Sequence, residues 1–177
     1  MTKQEAANRI IAWFSKPAAE FGWDADKGQC VYLTDNGARC AVGILIPEKE
    51  AYDELARMSL GGIGDFRENV KYHASGESVR HGAADSRFQR LAQRLNTILS
   101  LDDMDFVDFL TRCQRIHDKH AETFATQSVP RYMQDTFLYS GVDYGVTPKV
   151  GLTLEEAKEA YLAEFKEVCA DEYGLVV

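Results

Sequence analysis

One amphipathic run constrains this chain more than any other feature, the stretch from about residue 102 to residue 126. Its apolar and weakly polar side chains recur every three or four residues, which is the spacing of one face of an α-helix. The stripe consists of Phe106, Phe109, Leu110, Cys113, Ile116, His117, His120 and Phe124. Because such a face must be covered by other elements, the core is predicted to form around this helix.

The same spacing predicts four further helices, over residues 3–15, 48–58, 86–99 and from about 153 to 174. Pro17 ends the first of them, and Pro47 precedes the second. The last begins with Thr153-x-x-Glu156, the pattern of a capping box, and Gly174 stops it. Ser100 is predicted to cap the helix over 102–126.

The stretch "GQCVYLTDNGARCAVGILIP", residues 28–47, predicts a β-hairpin over residues 29–46. A three-residue turn with a left-handed Gly37 would place Tyr32 opposite Cys40 and Cys30 opposite Val42, on one face of the hairpin. A two-residue Asn-Gly turn would instead place the two cysteines on opposite faces. The predicted fold class is therefore α+β and mostly α, with about five helices and one hairpin packed on the bundle. The face with Cys30, Tyr32, Cys40 and Val42 is expected to contact the helix that carries Cys113 and His117.

The whole chain, residues 1–177, suits a single domain. Within it, residues 60–85 are polar, contain several glycines and are predicted to be a mobile loop or excursion. Residues 127–152 are predicted to be irregular and are rich in aromatic residues. Such residues on irregular backbone belong either to the core or to a protein-binding surface. The predicted binding residues are Tyr132, Phe137, Tyr139 and Tyr144.

Charge and hydropathy exclude several classes of function. The net charge of −8 argues against direct nucleic-acid binding, which needs a basic face. No run approaches the roughly 18 apolar residues of a membrane helix. The N-terminus has helical spacing rather than the continuous apolar core of a signal peptide, so a cytoplasmic location is expected.

Three interpretations of the cysteines remain open. Cys113 and His117 are four residues apart on one helix face and, with Cys30 and Cys40, would supply the ligands of a zinc site. Cys30 or Cys40 with His117 would alternatively form a thiol-dependent active site. Buried structural thiols are the third interpretation, and the preferred one, with no catalytic residue, no metal and no cofactor.

Three blocks of the sequence resemble a small bacterial and phage family that has no established activity. The first is C-x-Y-x(4)-G-x-x-C-A-V-G-x-L-I-P, beginning at Cys30 and ending at Pro47. The second, L-Q-x-[IV]-H-D in the family, is matched by Gln114, Ile116, His117 and Asp118. The third is a C-terminal helix followed by Gly-Leu, here Gly174 and Leu175. Cys113 stands where the family has Leu, which favours a packing role for that thiol.

The resemblance implies a phage or mobile-element setting, and a shared cluster of Cys30, Cys40 and His117 where the hairpin meets the helix. With the acidic charge and the absence of a recognisable catalytic motif, it predicts a non-enzymatic interaction protein. The expected partner is a host protein, and inhibition of a host defence protein is one form of that hypothesis. The thiol-dependent enzyme and the zinc-stabilised module are the two alternatives.

Overall fold

The computed structural model describes residues 1–24, 29–46, 63–80, 86–127 and 151–177. These residues form α-helices joined to one short antiparallel strand pair. In chain order the elements are α1 (Lys3–Phe14), β1 (Trp23–Asp24), β2 (Gln29–Cys30), α2 (Ala41–Leu45), α3 (Ile63–Ala74), α4 (Glu77–Arg80), α5 (Ser86–Ile98), α6 (Met104–Gln127) and α7 (Leu154–Tyr173). The mostly helical character predicted from the sequence is confirmed.

Helix α6 lies at the centre of this arrangement. It packs against α7, α2 and α3 and touches both strands. Its buried side chains are those of Phe106, Val107, Phe109, Leu110, Cys113, Ile116, His117 and Ala121. They confirm the predicted inner face as far as His117, whereas His120 and Phe124 are only partly buried. This helix therefore joins the N-terminal part of the chain to the C-terminal helix through one hydrophobic core.

Two helix ends follow the local chemistry that the sequence predicts, and one does not. The capping box of Thr153 with Glu156 opens α7, and Gly174 ends it in the left-handed region at φ 63°. Ser100, however, does not cap α6. Asp103 does, because its Oδ1 accepts hydrogen bonds from the backbone N–H groups of Asp105 at 3.0 Å and Phe106 at 3.3 Å.

Lysine 158 provides an unusual connection between the first and last helices. Its side chain on α7 is buried, with 3% of the residue exposed. The Nζ atom donates hydrogen bonds to the carbonyl oxygens of Lys16 at 3.0 Å and Pro17 at 3.2 Å, just beyond the end of α1. It also pairs with Glu155 at 2.9 Å. Both carbonyls lie beyond Ser15, the C-cap residue of α1, so Lys158 ties α7 to the turn that follows α1.

The hairpin predicted over residues 29–46 is wrong beyond its turn. The turn forms, with Gly37 at φ 90° and the Thr34 N–H donating to the Ala38 carbonyl at 2.9 Å. Beyond the turn, the two arms of the predicted hairpin share a single β-bridge, between Leu33 and Arg39. The chain then enters α2, so the apolar run that was expected to be a strand is a short helix.

The true strand pairing lies earlier in the chain. Cys30 pairs with Trp23, and Gln29 pairs with Asp24. Cys30 is therefore not opposite Val42, and Tyr32 is not opposite Cys40. The reason lies in Gly43, where a Cβ atom would come within 2.0 Å of the Tyr32 carbonyl oxygen. Because Gly43 has no side chain, α2 packs directly on the backbone of the preceding segment.

The prediction of a loop over residues 60–85 is also wrong where the structure describes them. Residues 63–74 form α3, and residues 77–80 form α4. Phe66 and Val70, one helical turn apart, are buried at 1% and 0% exposure. They pack in the core with Ala92 and Leu95 of α5. Although the segment is polar overall, these two buried residues are enough to hold α3 against α5, the helix that covers them.

Several predictions lie outside the described residues. The helix over 48–58 is one of them, and most of the irregular segment over 127–152 is another. The four aromatic residues predicted to bind a partner, Tyr132, Phe137, Tyr139 and Tyr144, fall in that second gap. None of the helices in the described ranges is long and apolar enough to cross a membrane.

Candidate functional site

A cysteine, a histidine and an aspartate converge where β2 meets α6. Cys30 Sγ lies 3.8 Å from His117 Nδ1. Asp118 Oδ1 lies 3.1 Å from the same nitrogen. The three atoms are all within 4.8 Å of one another. His117 is fully buried, whereas the Asp118 side chain is 42% exposed, so the cluster sits at the edge of the core with one side open to solvent.

Gln114 completes the polar contacts of this cluster from one turn earlier on α6. Its Nε2 donates a hydrogen bond to Cys30 Sγ at 2.9 Å and another to Asp118 Oδ1 at 2.6 Å. Its Oε1 accepts a hydrogen bond from the backbone N–H of Val42, in α2, at 3.3 Å. One side chain therefore joins β2, α2 and α6.

Cys40 occupies the N-cap of α2, where its Sγ accepts a hydrogen bond from the Gly43 N–H at 3.3 Å. It also raises the pKa of the Cys30 thiol through a hydrogen bond between the two side chains. Burial and the negative charge of Asp118 raise that pKa further. The pKa of Tyr32 is raised as well, first by burial and then by the same cysteines and Asp118. The Cys30 thiol and the Tyr32 hydroxyl are therefore both held in their neutral forms at neutral pH.

This geometry does not match a thiol nucleophile activated by a histidine. Such a site needs a base that accepts the thiol proton at one ring nitrogen and is oriented by a third group at the other. Here Cys30 and Asp118 both face Nδ1 of His117. The other nitrogen, Nε2, is buried and has no hydrogen-bond partner among the described residues. The raised pKa of Cys30 also keeps its thiol protonated at neutral pH, which disfavours nucleophilic attack by this sulfur.

The rings around His117 fix its position. Its centroid lies 5.4 Å from that of Phe21, 6.0 Å from that of Phe14 and 6.3 Å from that of Tyr161. Phe21 and Tyr161 meet the imidazole edge to face. Because these rings enclose the imidazole, Nδ1 is held towards Cys30 and Asp118 without a hydrogen bond at Nε2.

The structure assembles the predicted site residues only in part. Cys30 and His117 come together with Asp118, whereas neither Cys40 nor Cys113 is a member of the converging group. The Cys113 thiol is buried between α6 and α7, and burial with the neighbouring Cys169 raises its pKa. Adjacent residues on a helix point about 100° apart, so a direct contact between the side chains of His117 and Asp118 is not expected from sequence. The Asp118 carboxylate nevertheless turns back to Nδ1, and only its position directly after the histidine signalled it.

A separate open groove of about 470 Å³ runs between α6 and α7. Its lining is almost entirely charged: Arg112, Glu164, Glu167, Val168, Asp171 and Glu172. Arg112 pairs with Glu172 at 2.8 Å, which raises the pKa of the guanidinium. The groove shares no lining residue with the cluster around Cys30, and it has neither a nucleophile nor a histidine.

No protein-family model, no curated protein and no solved structure matches this chain. The resemblance to a bacterial and phage family therefore stays a prediction from the three sequence blocks. The binding of a host protein also stays a prediction, and the function has to be argued from the cluster itself.

Proposed function

We propose that this is a non-enzymatic protein that binds a zinc-class divalent cation, which fastens β2 to α6. The single observation that carries the proposal is the convergence of Cys30 Sγ, His117 Nδ1 and Asp118 Oδ1 within 4.8 Å. A sulfur, an imidazole nitrogen and a carboxylate oxygen are the three donor types that protein zinc sites use.

The spacing of the donor atoms agrees with tetrahedral coordination. Bonds of about 2.0–2.3 Å at tetrahedral angles place pairs of ligand atoms about 3.3–3.8 Å apart. The separation is 3.8 Å from Cys30 Sγ to His117 Nδ1 and 3.1 Å from that nitrogen to Asp118 Oδ1. These two separations lie within a few tenths of an ångström of that range, and the third pair, Cys30 Sγ and Asp118 Oδ1, lies within 4.8 Å.

The donor set also selects among cations. A thiolate and an imidazole favour zinc and other late transition metals, whereas magnesium and calcium prefer oxygen ligands alone. These three ligands leave a fourth position for water or for Cys40, whose proximity to Cys30 raises the pKa of that thiol. A divalent cation would deprotonate the coordinating thiols and balance the acidic groups that now face one another.

A structural role for the metal fits the position of the site. Cys30 belongs to a two-residue strand and Cys40 precedes a five-residue helix. Elements this short contribute little stability of their own. A cation shared with α6 would hold both, which is compatible with the predicted role as a binding protein.

The test is metal analysis of full-length protein purified without a chelator, followed by titration of the metal-free protein with zinc and cobalt(II). We expect one metal per chain and, with cobalt, the absorption bands of tetrahedral thiolate ligation. Zinc at a free concentration of 100 times its Kd should raise the free energy of unfolding by about 2.7 kcal/mol.

Asp118→Asn is the informative variant, because the side chain is half exposed and keeps its size. The affinity of this variant for zinc should fall by more than about tenfold to hundredfold, which is the loss typical of removing an outer-shell partner of a metal ligand. Asp108→Asn is the matched control, an exposed aspartate on the same helix, and should bind as the wild type does. Absence of bound metal together with no effect of zinc on unfolding would overturn the proposal.

A further inference from the structure

We infer that Gln114 competes with the cation for this site and couples its occupancy to the docking of α2. The inference rests on the proposed metal site and concerns what sets its affinity. Its basis is three hydrogen bonds made by one carboxamide, to Cys30 and Asp118 through Nε2 and from Val42 through Oε1.

The amide nitrogen lies where a bound cation would have to be. It is 2.9 Å from Cys30 Sγ and 2.6 Å from Asp118 Oδ1, and so fills the space between two of the proposed ligands. Both an N–H donor and a metal ion satisfy lone pairs on sulfur and carboxylate oxygen. They cannot do so together, because metal–ligand bonds of about 2.0–2.3 Å leave no room for the amide nitrogen.

The other end of the carboxamide gives the competition a structural consequence. Oε1 accepts from the backbone N–H of Val42, in the first turn of α2, a turn whose N–H groups have no partner within the helix. If Gln114 withdraws, that bond is lost. If the carboxamide instead rotates so that its oxygen faces the metal, its NH₂ faces the Val42 N–H, and two donors meet. Either response removes the hydrogen bond that Gln114 of α6 makes with the start of α2.

Removing the carboxamide should therefore raise the affinity for zinc and lower the stability of the metal-free protein. In Gln114→Ala, the metal no longer has to displace two hydrogen bonds to polar or charged groups, so zinc should bind about tenfold to a hundredfold more tightly. The metal-free variant should be less stable than the metal-free wild type, because the same bonds hold it together. If Gln114 had a merely structural role, its removal would weaken both zinc binding and the stability of the metal-free protein.

The experiment compares zinc titrations and urea unfolding of the wild type, Gln114→Ala and Gln114→Met. The methionine variant keeps the length of the side chain and guards against a folding defect in the alanine variant. Gln127→Ala, an exposed glutamine on the same helix, is the control and should match the wild type in both assays. In the wild type, hydrogen exchange of the Val42 amide should also accelerate when zinc is added.

The outcomes separate this inference from the proposed function. Tighter binding by both Gln114 variants supports it, even if the wild type binds too weakly to be metal-loaded when purified. Wild-type binding with unchanged or weaker binding by the variants overturns the inference and leaves the metal site standing. Val42 exchange that does not respond to zinc overturns the coupling to α2. No binding by any of the proteins overturns the inference and the metal site together.

Discussion

Replacing Gly43 with alanine tests whether α2 packs on the backbone of the preceding segment. In most helices this substitution stabilises a protein by about 1 kcal/mol, because glycine is the poorer helix former. Here the added Cβ would lie 2.0 Å from the Tyr32 carbonyl oxygen and 2.9 Å from its carbon. Real Cβ contacts essentially never fall below 3.0 Å, and the neighbour is backbone rather than a flexible side chain.

The clash should therefore outweigh the gain in helix propensity. Overpacking of a closed site costs about 1–3 kcal/mol and sometimes more. An overlap this severe belongs at the upper end, so the net loss should be about 2 kcal/mol. In a chain of this size that loss lowers Tm by about 4–8 °C.

The measurement is thermal and urea unfolding of metal-free protein, monitored by circular dichroism. Gly174→Ala is the control, because its Cβ meets no atom within 4 Å and only the left-handed backbone at φ 63° opposes it. That variant should lose about 1 kcal/mol. A Tm for Gly43→Ala equal to or above that of the wild type would refute the packing of α2 on Tyr32.

Three further outcomes are expected. Lys158→Met should lose about 1–3 kcal/mol in urea unfolding, because the carbonyls beyond α1 lose their donor; the exposed Lys166→Met should stay within about 0.5 kcal/mol, and equal losses would contradict a stabilising role for these hydrogen bonds. Thr153→Ala should cost about 1 kcal/mol in thermal unfolding, with Thr153→Ser restoring most of it, and no loss would count against the capping box. Burial raises the pKa of Cys169 from 9.0 to about 11, so stability should fall between those pH values by at most about 1.4 kcal/mol per pH unit, because only the unfolded thiol ionises there. Cys169→Ala should show a shallower decline with pH, and an unchanged decline would contradict this assignment.

The elements that followed from the sequence are those whose signals are local and repeated. The stripe of α6 spans many turns, so its period and its buried face could both be predicted. The capping box at Thr153 and the glycine at 174 define their helix ends by chemistry within a few residues. The turn at Gly37 formed for the same reason, since a left-handed residue needs only its own backbone freedom.

The failures come from contacts between distant segments. Val42, Ile44 and Leu45 have the composition of a strand, yet the glycine between them allows α2 to rest on the Tyr32 carbonyl. No local pattern announces that contact. A cysteine is also an uncommon N-cap, so Cys40 did not signal a helix start. In α3, two buried residues in a polar segment were too few to reveal a helix that α5 covers.

The candidate site shows the same division. Cys30 and His117 could be selected from the sequence because few residue types ligate metals or act as nucleophiles. Two other features of the site depend on how β2 docks on α6. Asp118 shares the Nδ1 face of His117, and Cys113 does not reach the cluster. Gln114 was noted only as part of a motif, because a glutamine on a helix has no chemistry of its own until its neighbours are known.

The lysine of α7 that bonds the turn after α1 has a consequence for biosynthesis. The Lys158 amine and the Lys16 carbonyl are separated by 142 residues along the chain. During translation, α1 and α2 therefore leave the ribosome long before Lys158 has been made. Until then the part of α1 that α7 covers is open to proteases and to chaperones, and α1 completes its packing only after α7 has been synthesised.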